Sequence, residues 1–239
     1  MNHERMNRLL LTSYFLFLTY DSSLASAAGP ADATLSEVIE KIQSVYETTR
    51  DLQADFHQVT RFEGFEAVVA SSGKLYIKKP GRLRWDYVEP NRNEVVVSQD
   101  RIWLFTPELK QVIISPFALL SDSQMPLHFL MGVGRLDQDF EIKWADPPEA
   151  DKDAAGTTTG QERLILTLLP KDKKAGLDKI RMEVHPKQYF ITQLDLFESN
   201  GNTSRFTFSR IETNVGLKDK LFIFTAPKGV EIIETPLGR

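Results

Sequence analysis

The sequence predicts a mainly β fold with a smaller α part, an antiparallel sheet of about ten or eleven strands with helix on one side only. Three observations predict it. Apolar and polar residues alternate at period two through most of the chain, turn residues break these runs at short intervals, and only one long segment has the helical period. At 239 residues, 41% hydrophobic and 26% charged, the chain can bury one substantial core, so a single domain is expected over residues 28–239.

Net charge and cysteine content exclude several classes. A net charge of −4 offers no basic field for nucleic acid or anionic membrane, and no nucleic-acid partner is expected. Arg5 and Arg8 precede the apolar run Leu9 to Tyr20, and Ala25-Ser26-Ala27 follows, so residues 1–27 are expected to be a secretory signal peptide. The run is too short to span a bilayer, which takes about 20 residues. The chain has no cysteine, so stability must come from burial. For the same reason no lipid anchor is expected, since bacterial lipoproteins are acylated on a cysteine. An exported, unanchored protein of the bacterial periplasm is the expectation.

Thr34 and Glu37 form a capping box that starts a helix. Leu35, Val38, Ile39, Ile42, Val45 and Tyr46 then form an apolar stripe. From Leu52 the period is two, and strands are expected at Leu52 to Arg61, Val68 to Ile77, Leu83 to Val88, Glu94 to Ser98, Arg101 to Phe105 and Gln111 to Ser115. Lys79-Pro80-Gly81-Arg82, Gln99-Asp100 and Thr106-Pro107-Glu108 are the turns of this meander. Pro116 to Leu120 and Pro126 to Met131 read as short apolar helical pieces, followed by Gly132-Val133-Gly134. Such an insertion suits a movable cover or a fixed plug equally well.

Strands resume at Phe140 to Ala145, and Asp146 to Gly160 is an acidic, Gly- and Thr-rich loop. Further strands are expected at Glu162 to Leu169, Leu177 to His185, Tyr189 to Glu198, Thr203 to Glu212 and Leu221 to Thr225, with Asn200-Gly201 as a hairpin turn.

Catalytic and metal chemistry find no support. There is no Gly-x-Ser-x-Gly elbow, and His57, His128 and His185 lie on separate elements without metal-ligand spacing. No catalytic residue, metal or cofactor is expected, and the chain is read as a non-enzyme. What remains is apolar surface. Leu83, Trp85 and Tyr87 share one face of their strand, as do Trp103 and Phe105 of theirs. Alternating aromatics fit a solid barrel core or the wall of a greasy cavity, and periodicity does not separate the two.

The order of Ala54-Asp55-Phe56-His57-Gln58, Gly73-Lys74-Leu75-Tyr76, Lys79-Pro80, Trp85, Pro90 and Trp103-Leu104-Phe105 resembles the LolA-type periplasmic lipoprotein carriers. The tail Phe222-x-Phe224-x-x-Pro227-x-Gly229-Val230 is similar to that family's last strand. The resemblance covers nearly all of the mature chain. It implies an incomplete antiparallel β-barrel closed by an α-helical lid, with a hydrophobic cavity that shields acyl chains. The implied cavity wall is Leu75, Ile77, Leu83, Trp85, Tyr87, Trp103 and Phe105. The implied lid is Ile39, Ile42 and Tyr46 with Leu119, Leu120, Leu127, Phe129, Leu130 and Met131.

The implied partners are acylated lipoproteins, an inner-membrane ABC transporter that releases them and an outer-membrane receptor that takes them, with the carrier itself a monomer. The family holds its lid with an arginine before the Pro of the basic turn, where this chain has Lys79, so Lys79, Arg82 and Arg84 are all latch candidates. A periplasmic sensor, or a carrier of another lipid or glycolipid on the same half-barrel, is the alternative.

Overall fold

The computed structural model describes residues 33–98, 101–117, 129–131, 134–145, 163–172 and 176–235. Helix α1 (Leu35–Thr48) leads into β1 (Asp51–Arg61), β2 (Val68–Lys78), β3 (Arg82–Glu89), β4 (Asn93–Ser98), β5 (Arg101–Thr106) and β6 (Gln111–Pro116). A one-turn helix α2 (Leu136–Asp139) precedes β7 (Phe140–Trp144), β8 (Leu164–Pro170), β9 (Leu177–Val184), β10 (Ile191–Glu198) and β11 (Thr203–Thr213), and β12 (Glu231–Glu234) follows. One 12-stranded sheet results, in the order β12-β6-β5-β4-β3-β2-β1-β11-β10-β9-β8-β7. Two meanders, β1 to β6 and β7 to β11, are thus joined where β1 pairs β11, and the sheet stays open with β7 and β12 at its edges.

The local causes are those the sequence suggests. Thr34 Oγ1 accepts from the Glu37 amide (3.3 Å) and the Glu37 carboxylate accepts from the Thr34 amide (2.8 Å), closing the capping box. Val38, Ile42 and Tyr46 of α1 are buried against the concave face of the sheet. At the Asn200-Gly201 turn Gly201 takes φ +89°, and its amide donates to the Glu198 carbonyl at 2.9 Å.

Directly opposed residues of an antiparallel pair point to the same face. The chain of partners Ile77, Leu83, Val97 and Ile102 therefore lies on the concave side. The chain Tyr76, Arg84, Val96, Trp103 and Ile114 lies on the convex side. The main core is concave, running from Leu83 and Val97 through Phe56 and Phe208 to Leu166, Leu168 and Ile180.

Two expectations are corrected here. Leu221 to Thr225 is not a strand: Asp219–Phe222 is a 3-10 turn, and Phe222 and Phe224 alternate because the segment lies on the convex face. Phe222 is buried and the Phe224 ring sits 5.8 Å from that of Phe105, so these residues form a second, smaller core with Val96 and Val112. The strand count also exceeds the expected ten or eleven, because β12 pairs parallel to β6 through Glu-Ile-Ile-Glu, a run without alternation.

Candidate functional site

On the concave face, Leu75, Ile77, Leu83 and Trp85 of β2 and β3 are all less than a tenth exposed. Trp85 anchors an aromatic cluster: its ring meets Phe56 edge-on at 5.1 Å and Phe206 at 5.4 Å, and stacks on Tyr87 at 6.2 Å. Phe56 and Tyr87 meet at 5.0 Å over Gly73, which is the β2 partner of both. A Cβ on Gly73 would stand 1.9 Å from the Asp86 carbonyl oxygen and 2.9 Å from the Phe56 ring, so the approach of the two strands requires glycine.

Trp103 and Phe105 do not join this wall. Ser98 pairs with Arg101, and in that register Ile102 and Leu104 turn inward while Trp103 and Phe105 turn outward. Phe105 is covered by the C-terminal segment instead. Sequence reasoning missed other members of the concave face, including Phe56, Phe206 and Phe208 of the central strands and Leu166 and Met182 beyond them. Their signal is the same period-two alternation, present outside the stretch from Leu75 to Phe105.

Among the described residues the cover consists of α1 and residues 129–131. Tyr46 is its fastening point. Its hydroxyl accepts the Ile191 amide (3.1 Å), and its ring packs on Phe129 (4.9 Å) and Phe190 (6.1 Å). Burial drives its phenol pKa up from the ordinary value. Ile42, Phe129, Leu130 and Met131 are buried beside it, while Ile39 is half-buried at the flank. Between Tyr46, Leu130 and the sheet residues Leu52, Leu75 and Phe208, only about 10 Å³ is left, too little for more than a single water. Among the described residues this part of the concave face is closely packed. Leu119, Leu120 and Leu127 lie outside the described residues.

A wetter pocket of about 320 Å³ opens at the mouth, lined by Gln43, Tyr46, Glu47, Lys79, Arg135 and Gln138 among others. The three latch candidates separate here. Arg84 lies on the convex face, paired with Asp86 and Glu94 at 2.8 Å each. Arg82 also turns outward, to Asp219 at 2.7 Å, which Lys78 holds as well at 2.6 Å. Of the three, Lys79 alone faces the cover: its Nζ lies 5.9 Å from the Tyr46 ring centroid. Burial lowers its pKa below the ordinary lysine range, opposed by the Glu47 carboxylate. Further on in the same turn, the Gly81 amide donates to the Met131 carbonyl at 3.3 Å, so the basic turn touches both parts of the cover.

Tyr87 gives the concave face a measurable pH signature. Its hydroxyl donates to Gln58 Oε1 at 2.9 Å, and burial pushes its phenol up to about 12 from 10.0. The folded state thus holds a proton that the unfolded chain loses above pH 10. The stability this phenol contributes is present below pH 10 and lost as pH rises through 12, about 2–3 kcal/mol in all. Wild type should therefore lose more stability than Tyr87→Phe between pH 9.5 and 12 in parallel denaturant titrations. Identical alkaline limbs would show that the phenol is solvated.

His57 is exposed on β1, and His185 Nδ1 accepts the Lys187 and Gln188 amides at 3.2 Å each, shaping a turn. No cluster of metal-ligating residues occurs among the described residues.

This geometry has counterparts among known proteins. The outer-membrane lipoprotein carrier proteins of Dechloromonas aromatica and Methylococcus capsulatus are 30% and 28% identical to this chain. The matches cover 82% and 81% of it, and 86% of each relative. An uncharacterized conserved protein of Thermus thermophilus shares the fold, with a TM-score of 0.52 at 10% identity over 84% of this chain and 98% of its own. Residues 47–225 match the family model described as outer membrane lipoprotein carrier protein LolA. That span takes in the concave sheet, the basic turn and the cover from Phe129 to Met131, and the chain belongs to the LolA family of outer membrane lipoprotein carrier proteins.

Proposed function

We propose that this protein carries acylated lipoproteins through the periplasm, taking them from an inner-membrane ABC transporter and delivering them to an outer-membrane receptor. The observation that carries this reading is a continuous apolar sheet face covered, among the described residues, by helix α1 and the buried segment Phe129 to Met131. Neither part of this cover is a strand of the sheet, so it can lift without breaking a strand pairing.

Burial of one methylene is worth about 0.8 kcal/mol, so a single long acyl chain leaving water recovers on the order of 10 kcal/mol. Acyl chains therefore need an apolar escort between membranes. The empty escort must hide its own apolar face, which would otherwise be a large exposed patch. In the closed state Phe129, Leu130 and Met131 occupy the place of the cargo, and the cavity forms when they leave. Unbranched Met131 suits a seat that must fit either protein or lipid. Lys79, over the Tyr46 ring, is the latch residue in this scheme, and Arg82 and Arg84 bind the C-terminal segment instead. The names of the relatives support the same reading.

The test is extraction. Purified mature protein is incubated with inner-membrane vesicles that bear labelled lipoprotein, the transporter and ATP. The expected result is labelled lipoprotein in the soluble fraction, bound to the protein. Lipoprotein that stays in the vesicles, while a known carrier releases it, would rule the reading out.

A further inference from the structure

The concave face is not uniformly apolar. Toward the β1–β2 hairpin it carries a chain of hydrogen-bonded side chains in which Tyr87 donates to Gln58 (2.9 Å) and Gln58 Nε2 donates to Thr60 (3.0 Å). Thr60 in turn shares a hydrogen bond with buried Ser204 at 3.0 Å. The register places all four on the concave side: Gln58 opposes Phe206, Thr60 opposes Ser204, and Tyr87 opposes Gly73 and Asn93.

Two further polar atoms at this end have no partner. Trp85 Nε1 and Asn93 Oδ1 are buried and unbonded among the described residues. The other two atoms of that kind, Asp55 Oδ2 and Asp86 Oδ1, sit in ion pairs with Arg210 and Arg84. Trp85 is only 8% exposed, and its ring is held by Phe56, Tyr87 and Phe206, so the donor is fixed in place. Asn93 faces Tyr87 one pair further along, which makes it the diagonal neighbour of Trp85 on the same face. A buried donor and a buried acceptor on neighbouring strands, neither bonded to a described residue, can each form a hydrogen bond with a ligand.

We propose that Trp85 and Asn93 form a polar subsite for the linkage of an acylated cargo, the ester or amide that joins the acyl chain to the rest of the molecule. The carbonyl oxygen accepts from the Trp85 indole N–H, and a hydroxyl or amide N–H beside it donates to Asn93 Oδ1. A pure hydrocarbon wall would hold any greasy molecule equally. This subsite favours acyl chains attached through a carbonyl over alkyl chains attached through an ether. The inference rests on the carrier reading and adds to it a rule of selection.

The experiment uses the full mature chain and two probes of equal chain length, dioctanoylglycerol and its dioctyl ether counterpart. Both are titrated by displacement of a fluorescent apolar dye. The wild type should bind the ester about tenfold more tightly, Trp85→Phe should bring the two lipids level, and Asn93→Leu should narrow the gap. Trp85, Trp103 and Trp144 are the three tryptophans, so the Trp85 indole resonance is assignable. In the wild type it should move downfield with the ester and stay with the ether, a readout that needs no variant to fold. Equal affinity for both lipids with an unmoved resonance overturns the subsite and leaves the carrier reading standing. Displacement by neither lipid overturns both.

Discussion

Leu130→Glu is expected to unseat the cover and abolish cargo uptake while leaving the sheet intact. Leu130 is 4% exposed, enclosed by Tyr46, Leu52 and Ile77. Arg50 and Lys79 line the same space, but the seat of Leu130 itself is apolar, and burying a carboxylate in it would cost about 4 kcal/mol. That is roughly a thousandfold shift away from the closed arrangement. The same charge would confront an acyl chain in the loaded form. An apolar-surface dye should therefore brighten, lipoprotein extraction from vesicles should fall to background, and the far-ultraviolet β signal should persist. Dye binding and extraction at wild-type levels would mean that residue 130 is not part of the cover.

Gly73→Ala should act on the sheet itself. The added methyl would overlap a backbone oxygen, that of Asp86 at 1.9 Å, which has no rotamer by which to move away. Relief requires β2 and β3 to part beside the Phe56, Trp85 and Tyr87 cluster, and the expected loss is about 3 kcal/mol or more. For a domain of this size that lowers the melting temperature by about 10 °C. Thermal melts of the purified variant give the answer directly. A shift of a degree or two would mean that the two strands yield to a methyl group without disturbing the cluster. The two substitutions separate cover from wall: one frees a lid on a stable sheet, the other loosens the sheet beneath a sound lid.

Much of this architecture is legible in the chain. The capping box at Thr34, the alternation at Leu83, Trp85 and Tyr87, and the Asn200-Gly201 turn each state a local rule that the fold obeys. Sidedness is not legible in the same way. Alternation says that Trp103 and Phe105 share a face, but which face depends on the register of every intervening turn. One residue of slip at β4 would have placed Trp103 on the face of Trp85. The C-terminal segment misleads for a related reason, since a chain lying across a sheet buries every second side chain just as a strand within it does. The latch candidates need the same knowledge: Arg82 and Arg84 alternate with Leu83, and only the side on which Leu83 is buried shows where they point.

The open edges of the sheet have a mechanical consequence. β7 and β12 end the strand order and are not paired with each other, so the concave surface is a trough rather than a tube. A closed barrel has its girth set by strand number and stagger, and can widen only by breaking a ladder. A trough can flatten or curl by small changes of twist spread over many strand pairs, none of which has to give up a hydrogen bond. Compliance of this kind would let one sheet grip one chain or several with the same residues.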